Sequence, residues 1–125
     1  MPYDRLTRSN SPRPATGIVH LGIGAFFRAF GATFIASSMS SSGGDWGIVG
    51  VSLKSPKTRD ALAPQGWAYT SVKLGVEKET TDTIEVLNDV LVALEDPNAV
   101  LDLMSDPCVK IVSLTVTEKG YCHSP

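Results

Sequence analysis

The chain has 125 residues, of which 42% are hydrophobic and 19% charged, with a formal net charge of −2. That suffices for one globular domain with its own core, and it excludes the strongly basic field of a nucleic-acid binder. No apolar run approaches the roughly 20 residues of a membrane-spanning helix, and the opening MPYDRLTRSNSPRP has no apolar signal core, so a cytoplasmic protein with no membrane partner is expected.

Residues 1–16, with three arginines and three prolines, read as an irregular arm that either lies along the domain or stays disordered. The body of the chain, 17–125, opens on Gly17–Gly31, GIVHLGIGAFFRAFG. A short apolar strand at 18–21 runs into a Gly-x-Gly turn at Gly22, Ile23 and Gly24, and a helical segment follows from Ala25, Phe26, Phe27 and Arg28. Strand, glycine turn and helix in this order open a dinucleotide-binding unit. One glycine reverses the backbone, and the other lets it approach a pyrophosphate. The helix N-terminus then aims its free N–H groups at the phosphates. Full spacing would place a third glycine at 27, where the chain has Phe27; Gly31, one turn later, is expected to allow close helix–strand packing instead. An ordinary tight turn would carry the same Gly-x-Gly letters. His20 reads as a core residue rather than a catalyst.

The helix is expected over about 27–39, with Phe27, Phe30 and Phe34 as its core-facing stripe and the serines at 37, 38 and 40–42 ending it. A nearly continuous apolar strand follows at 46–53, as suits a parallel strand buried on both faces, and completes a right-handed βαβ unit. An NAD-binding chain usually places an acid at the end of this strand. Here stand Leu53, Lys54, Ser55, Lys57 and Arg59, which either receive a 2′-phosphate of NADP or form the solvated start of a short helix at 57–62.

Partial alternation at 67–74 and 80–86 reads as two inserted antiparallel strands, followed by an apolar segment at 90–94. Asp96-Pro97 caps a helix whose apolar face is Ala99, Val100, Leu103 and Met104, and Asp106-Pro107 stops it. The last strand, 109–116, brings Thr115, Thr117 and Glu118 to the same sheet edge as the glycine turn, with Glu118 facing the reacting part of a ligand; a surface turn at Lys119-Gly120 is the plainer alternative. Cys108 and Cys122 read as free thiols of a reducing compartment. With only His20 and His123 beside them, no metal site is expected. The strands at 18–21, 46–53 and 109–116 are expected to be parallel neighbours, giving an α/β fold: a Rossmann-like, doubly wound, mostly parallel sheet with an inserted antiparallel strand pair.

The segments IVHLGIGAFFRAF, DWGIVGVSLKSPKTRDALAPQ, EDPNAV and IVSLTVTEKGYCHSP together span nearly the whole chain. The sequence they form resembles the polyol-specific long-chain dehydrogenases, the mannitol dehydrogenase and fructuronate reductase family. SLKSPKTRDALAPQ is more similar to the fructuronate reductase and mannitol 2-dehydrogenase branch than to the mannitol 1-phosphate branch. The resemblance implies a zinc-free oxidoreductase that moves a hydride between NAD, or alternatively NADP, and a sugar ketone, sugar acid or polyol. It also implies that residues 17–125 are the N-terminal portion of a truncated Rossmann domain, because such enzymes take their catalytic lysine, Asn and His from a helical C-terminal domain. No lysine here matches that context. The catalytic residues are therefore expected beyond Pro125, and catalysis by 1–125 alone is not expected. The expected cofactor contacts are Gly22, Ile23, Gly24, Ala25, Phe26, Phe27, Arg28, Leu53, Lys54, Ser55, Thr115 and Thr117. Where the family reads Phe-His-Arg-Ala-His-Gln, this chain has Phe26, Phe27, Arg28, Ala29, Phe30 and Gly31. The alternative to the enzyme reading is a stand-alone nucleotide-binding or interaction module.

Overall fold

The computed structural model of the chain describes residues 6–9 and 13–116. Thr117, Glu118, Lys119, Cys122, His123 and Pro125 lie outside the described residues, so the expectation that the catalytic groups come after Pro125 falls beyond them as well. Four strands form one sheet: β1 (Thr16–Leu21), β2 (Gly47–Ser52), β5 (Leu87–Val92) and β6 (Ile111–Leu114), in the order β5-β2-β1-β6. Every pairing is parallel. The strands β3 (Tyr69–Leu74) and β4 (Glu79–Ile84) form a separate antiparallel pair. The expected neighbours β2, β1 and β6 are therefore adjacent, and the inserted pair is present.

Alternation along β1 explains the two layers. Ile18 joins a core with Ile23, Phe27, Ala32 and the β4–β5 region. Val19 points the other way, with Val51, into a smaller core against α3 (Pro97–Met104), which Val100, Leu103 and Met104 cover. A strand buried on both faces must be apolar throughout, which is why TGIVHL and GIVGVS show no polar alternation. Asp96 caps α3 by accepting from Ala99 N–H at 3.1 Å, with Pro97 in the first turn, as its sequence requires.

Several boundaries differ from the sequence reading. The helix after the glycine turn passes through a π-helical turn, Phe27–Gly31, and continues as α1 (Ala32–Ser42) through the serines. It stops only at Gly43, whose φ of 71° leaves the helical region. Phe27 is buried, but Phe30 and Phe34 are 64% and 73% exposed, so the expected three-phenylalanine stripe is not the core face. A π turn carries more residues than an α turn and rotates the helix beyond it, which hands the buried positions to Ala32, Ile35, Ala36 and Met39. Nor does Gly31 make close helix–strand packing: a Cβ there would stand 2.5 Å from the Phe27 ring. Close packing on the sheet falls to Gly50 in β2, where a Cβ would lie 2.6 Å from the Ile23 side chain.

Trp46 and Leu53 flank β2 rather than belong to it, Trp67 precedes β3 with φ of 71°, and β4 ends before Val86. The apolar segment expected at 90–94 is the end of a full strand, β5, which begins at Leu87 and pairs with β2. The last strand shortens to Ile111–Leu114, an edge strand whose Ile111, Val112 and Leu114 are 43% to 57% exposed. The described part of the N-terminal arm lies on the surface and is tied down there. Ser9 donates to the Glu85 carboxylate from its N–H and its hydroxyl, both at 2.7 Å, and Arg13 donates to Asn88 O at 2.9 Å.

Candidate functional site

Because all four strands of the main sheet run parallel, their carboxyl ends share one edge. From β1 the chain moves outward to β2 and β5, then crosses to β6 on the other side of β1. The direction of winding therefore reverses between β1 and β6, and in open α/β sheets ligands usually sit outside the strand ends at such a reversal.

The glycine turn leaves the end of β1 at this point of the edge. Gly22 has φ of 94°, a conformation only glycine adopts without strain. Its N–H and that of Ile23 both donate to Val51 O, at 2.8 and 3.3 Å, fastening the turn to the end of β2. Gly24 N–H folds back onto Gly22 O at 2.8 Å. A Cβ on Gly24 would meet nothing within 4 Å, so the turn faces open space. Arg28 N–H makes the first helical bond, to Gly24 O at 3.1 Å, which leaves the N–H groups of Ala25, Phe26 and Phe27 ahead of the ladder.

The helix behind the turn is held from two sides. The π turn sends Ala32 N–H to Phe27 O, and the Arg28 carbonyl accepts the Tyr69 hydroxyl of β3 at 2.6 Å. Burial pushes the Tyr69 hydroxyl well above the usual tyrosine range, so it stays a donor. Phe26 and Phe30 are exposed and pack against each other, ring centres 5.1 Å apart.

The other expected contacts divide. Leu53, Lys54 and Ser55 follow β2 at the same sheet edge and are exposed; the Ser55 hydroxyl accepts from Lys57 N–H at 3.2 Å. No acid stands among these residues. The Arg59 guanidinium is engaged on the surface by Glu95 and by Asp60, and the two carboxylates raise its pKa. Arg59 stands in the short helix Lys57–Leu62, the second of the two readings its sequence allowed, and its pairing with Glu95, which follows β5, was not legible because the partner is remote in sequence. Thr115 sits at the end of β6, its N–H donating to Leu21 O at 3.1 Å.

The sequence reading placed His20 in the core, where it is 4% exposed, but missed its polar setting. Its ring nitrogens lie 2.7 Å from the hydroxyls of Ser113 and Thr115, and its face stacks on Phe27 at 3.6 Å. The signal was the parallel register His20↔Ser113, which no local pattern reveals. Burial lowers the His20 pKa. Among the described residues no group of three or more His, Cys, Asp or Glu side chains is placed to hold a metal, and no helix is long and apolar enough to cross a membrane.

Residues 16–125 match the mannitol dehydrogenase Rossmann domain family. The chain is similar to mannitol dehydrogenase 2 of Saccharomyces cerevisiae, 41% identical over 86% of this chain and 22% of that protein. It is also similar to the polyol:NADP oxidoreductase of Gluconobacter oxydans, 39% identical over 84% of this chain and 22% of that one. A solved structure of a Pseudomonas fluorescens mannitol 2-dehydrogenase, a ternary complex with NAD and D-mannitol, superposes with a TM-score of 0.79 at 38% identity, covering 87% of this chain and 23% of that one. The chain thus spans about a fifth of the length of the curated relatives it matches.

Proposed function

This chain belongs to the mannitol dehydrogenase family, and on that premise we propose that it is the cofactor-binding part of an oxidoreductase acting on a polyol or ketose with NAD or NADP. The observation that carries the proposal is the open glycine turn at the reversal point between β1 and β6. The N–H groups of Ala25, Phe26 and Phe27 and the N-terminal end of the helix hold the pyrophosphate. Leu53, Lys54 and Ser55 flank the adenosine ribose. Thr115 lines the site, with Thr117 and Glu118 assigned to the nicotinamide and substrate side. Once bound, the cofactor supplies or takes the hydride. The protein's share at these positions is to orient the dinucleotide and keep its reacting face toward the substrate.

With no acid between β2 and Asp60 and an exposed lysine at 54, NADP is accepted alongside NAD. That a polyol:NADP oxidoreductase is among the relatives supports this reading. The substrate is assigned to the mannitol 2-dehydrogenase type, with fructuronate as the competing sugar acid. Residues 1–125 by themselves do not turn over, because a ketone reduction needs a proton donor at the developing alkoxide. Among the described residues the imidazole at 20 is buried beneath the turn instead, and the donor is assigned to chain beyond Pro125. A reducing, cytoplasmic setting suits the exposed free Cys108.

Calorimetric titration of NADH and NADPH tests the site. Gly24→Val is expected to abolish binding of both while leaving the thermal transition in place, since the added side chain enters open space. Unchanged affinity in that variant overturns the assignment. Lys54→Asp is expected to weaken NADPH by about 1–3 kcal/mol and NADH little, the loss of a charge-assisted hydrogen bond. Oxidation of NADH by fructose or fructuronate at 1–125, above the Gly24→Val baseline, would place the catalytic group inside this chain.

A further inference from the structure

His20 lies two residues before the glycine turn, and its surroundings exceed what a filler of the core requires. Both ring nitrogens are engaged by hydroxyls, of Ser113 in β6 and of Thr115 just after it, each at 2.7 Å. Phe27, from the first turn of the following helix, covers one face with the rings only 9° from parallel. Neither hydroxyl has a second partner among the described residues. Thr115 Cβ lies 3.8 Å from where a side chain on Gly22 would begin, so Thr115 joins the ring of His20 to the glycine turn.

The donor count of the ring sets what Thr115 offers. Neutral imidazole has one N–H and one lone pair, so one of the two hydroxyls must spend its proton on the ring. Imidazolium donates from both nitrogens, so both hydroxyls accept from it and both turn their own protons away. We propose that His20 is a positioning residue of the dinucleotide site, taking up a proton from solvent when the pyrophosphate seats on the glycine turn and so presenting the Thr115 hydroxyl as a donor. This rests on the cofactor reading above. In the free protein burial alone depresses the ring's basicity, and no charged side chain among the described residues contributes. Of the elements packed on the ring, β1 and β6 bring no charged group to it, and the helix carries Arg28, whose Nε reaches Gly24 O at 3.4 Å. Glu118 and Lys119, beyond β6, lie outside the described residues. A pyrophosphate carrying two negative charges over a poorly solvated ring favours its charged form.

The chain has two histidines, so His123→Gln leaves His20 as the single imidazole. Long-range proton–nitrogen spectra of that protein, titrated with acid in the presence and absence of NADH, read the protonation of His20 without altering it. The free ring is expected to titrate below its ordinary 6.5, and saturating NADH to raise the midpoint by about one pH unit. Calorimetry in buffers of different ionisation enthalpy is expected to show net proton uptake on binding. That uptake should be lost in Thr115→Val and regained in Thr115→Ser. A midpoint unmoved by bound NADH, or a rise that vanishes in Glu118→Gln, overturns the inference and leaves the cofactor site standing. Absence of NADH binding at any pH overturns the cofactor reading and this inference together.

Discussion

At the scale of single residues, two positions beside the glycine turn carry stringent demands. Gly50 is buried under Ile23, and a Cβ there would lie 2.6 Å from Ile23 Cγ1 and 2.8 Å from its Cβ. Because Ile23 is fixed within the glycine turn, Gly50→Ala is expected to destabilise the fold by about 1–3 kcal/mol through overpacking, read as a lowered Tm. The second position is His20, whose folded pKa is depressed below the ordinary 6.5 by burial. Above that value neither state binds the proton and the penalty is absent. As pH falls through it, the unfolded chain takes up a proton that the folded chain refuses, so stability drops until the folded pKa is reached. Thermal melts from pH 8 to pH 5 are expected to show this decline in the native sequence and a shallower one in His20→Gln.

At the scale of elements, the helix behind the glycine turn shows how two residues one turn apart fit each other. Phe27 fills the space beside His20, and Gly31 leaves room for its ring, 2.5 Å from where a Cβ would stand. Gly31→Ala is therefore expected to cost about 1–3 kcal/mol, because the ring is trapped between His20 and the helix backbone. Phe34→Ser, on the exposed side of α1, is expected to change stability by less than about 0.5 kcal/mol. A large loss there would show that the helix face has been assigned wrongly. Tyr69→Phe removes the hydroxyl that satisfies Arg28 O. It is expected to cost about 1 kcal/mol and to increase amide exchange in the Phe27–Gly31 turn.

At the scale of the whole molecule, the order β5-β2-β1-β6 puts the most buried strands inside and leaves β6 paired on one side only among the described residues. Its exposed Ile111, Val112 and Leu114, continued by Val116, make an unpaired apolar edge, the feature that invites edge-to-edge pairing. The 125-residue chain is expected to self-associate as its concentration rises, in sedimentation velocity. Val112→Lys should suppress that association without shifting Tm much. A monomer at all concentrations in the native sequence would show that the edge is covered in solution. This strand order was legible in outline. Continuous apolar strands alternating with helical stretches admit few other arrangements, and the glycine turn marked the candidate site. The pairing of β5 with β2 was not legible, because LNDVLV carries two polar residues and sits directly after the inserted hairpin.

What the sequence determined alone was whatever depends on neighbouring residues: the glycine turn, the apolar runs of β1 and β2, and the Asp96-Pro97 cap. Each is set by local sterics and hydrogen bonding within a few residues, so its letters are sufficient. The tertiary structure decided what depends on partners remote in sequence. Glu95 claims Arg59 across 36 residues, and Ser113 and Thr115 reach His20 across 93 and 95. The π turn, which displaced Phe30 and Phe34 from the core, sits where Phe27 stacks on His20 and Tyr69 binds Arg28 O. Such contacts form only once the main sheet and the β3–β4 pair have brought β1, β3, β5 and β6 to their places, and no periodicity along the chain records them.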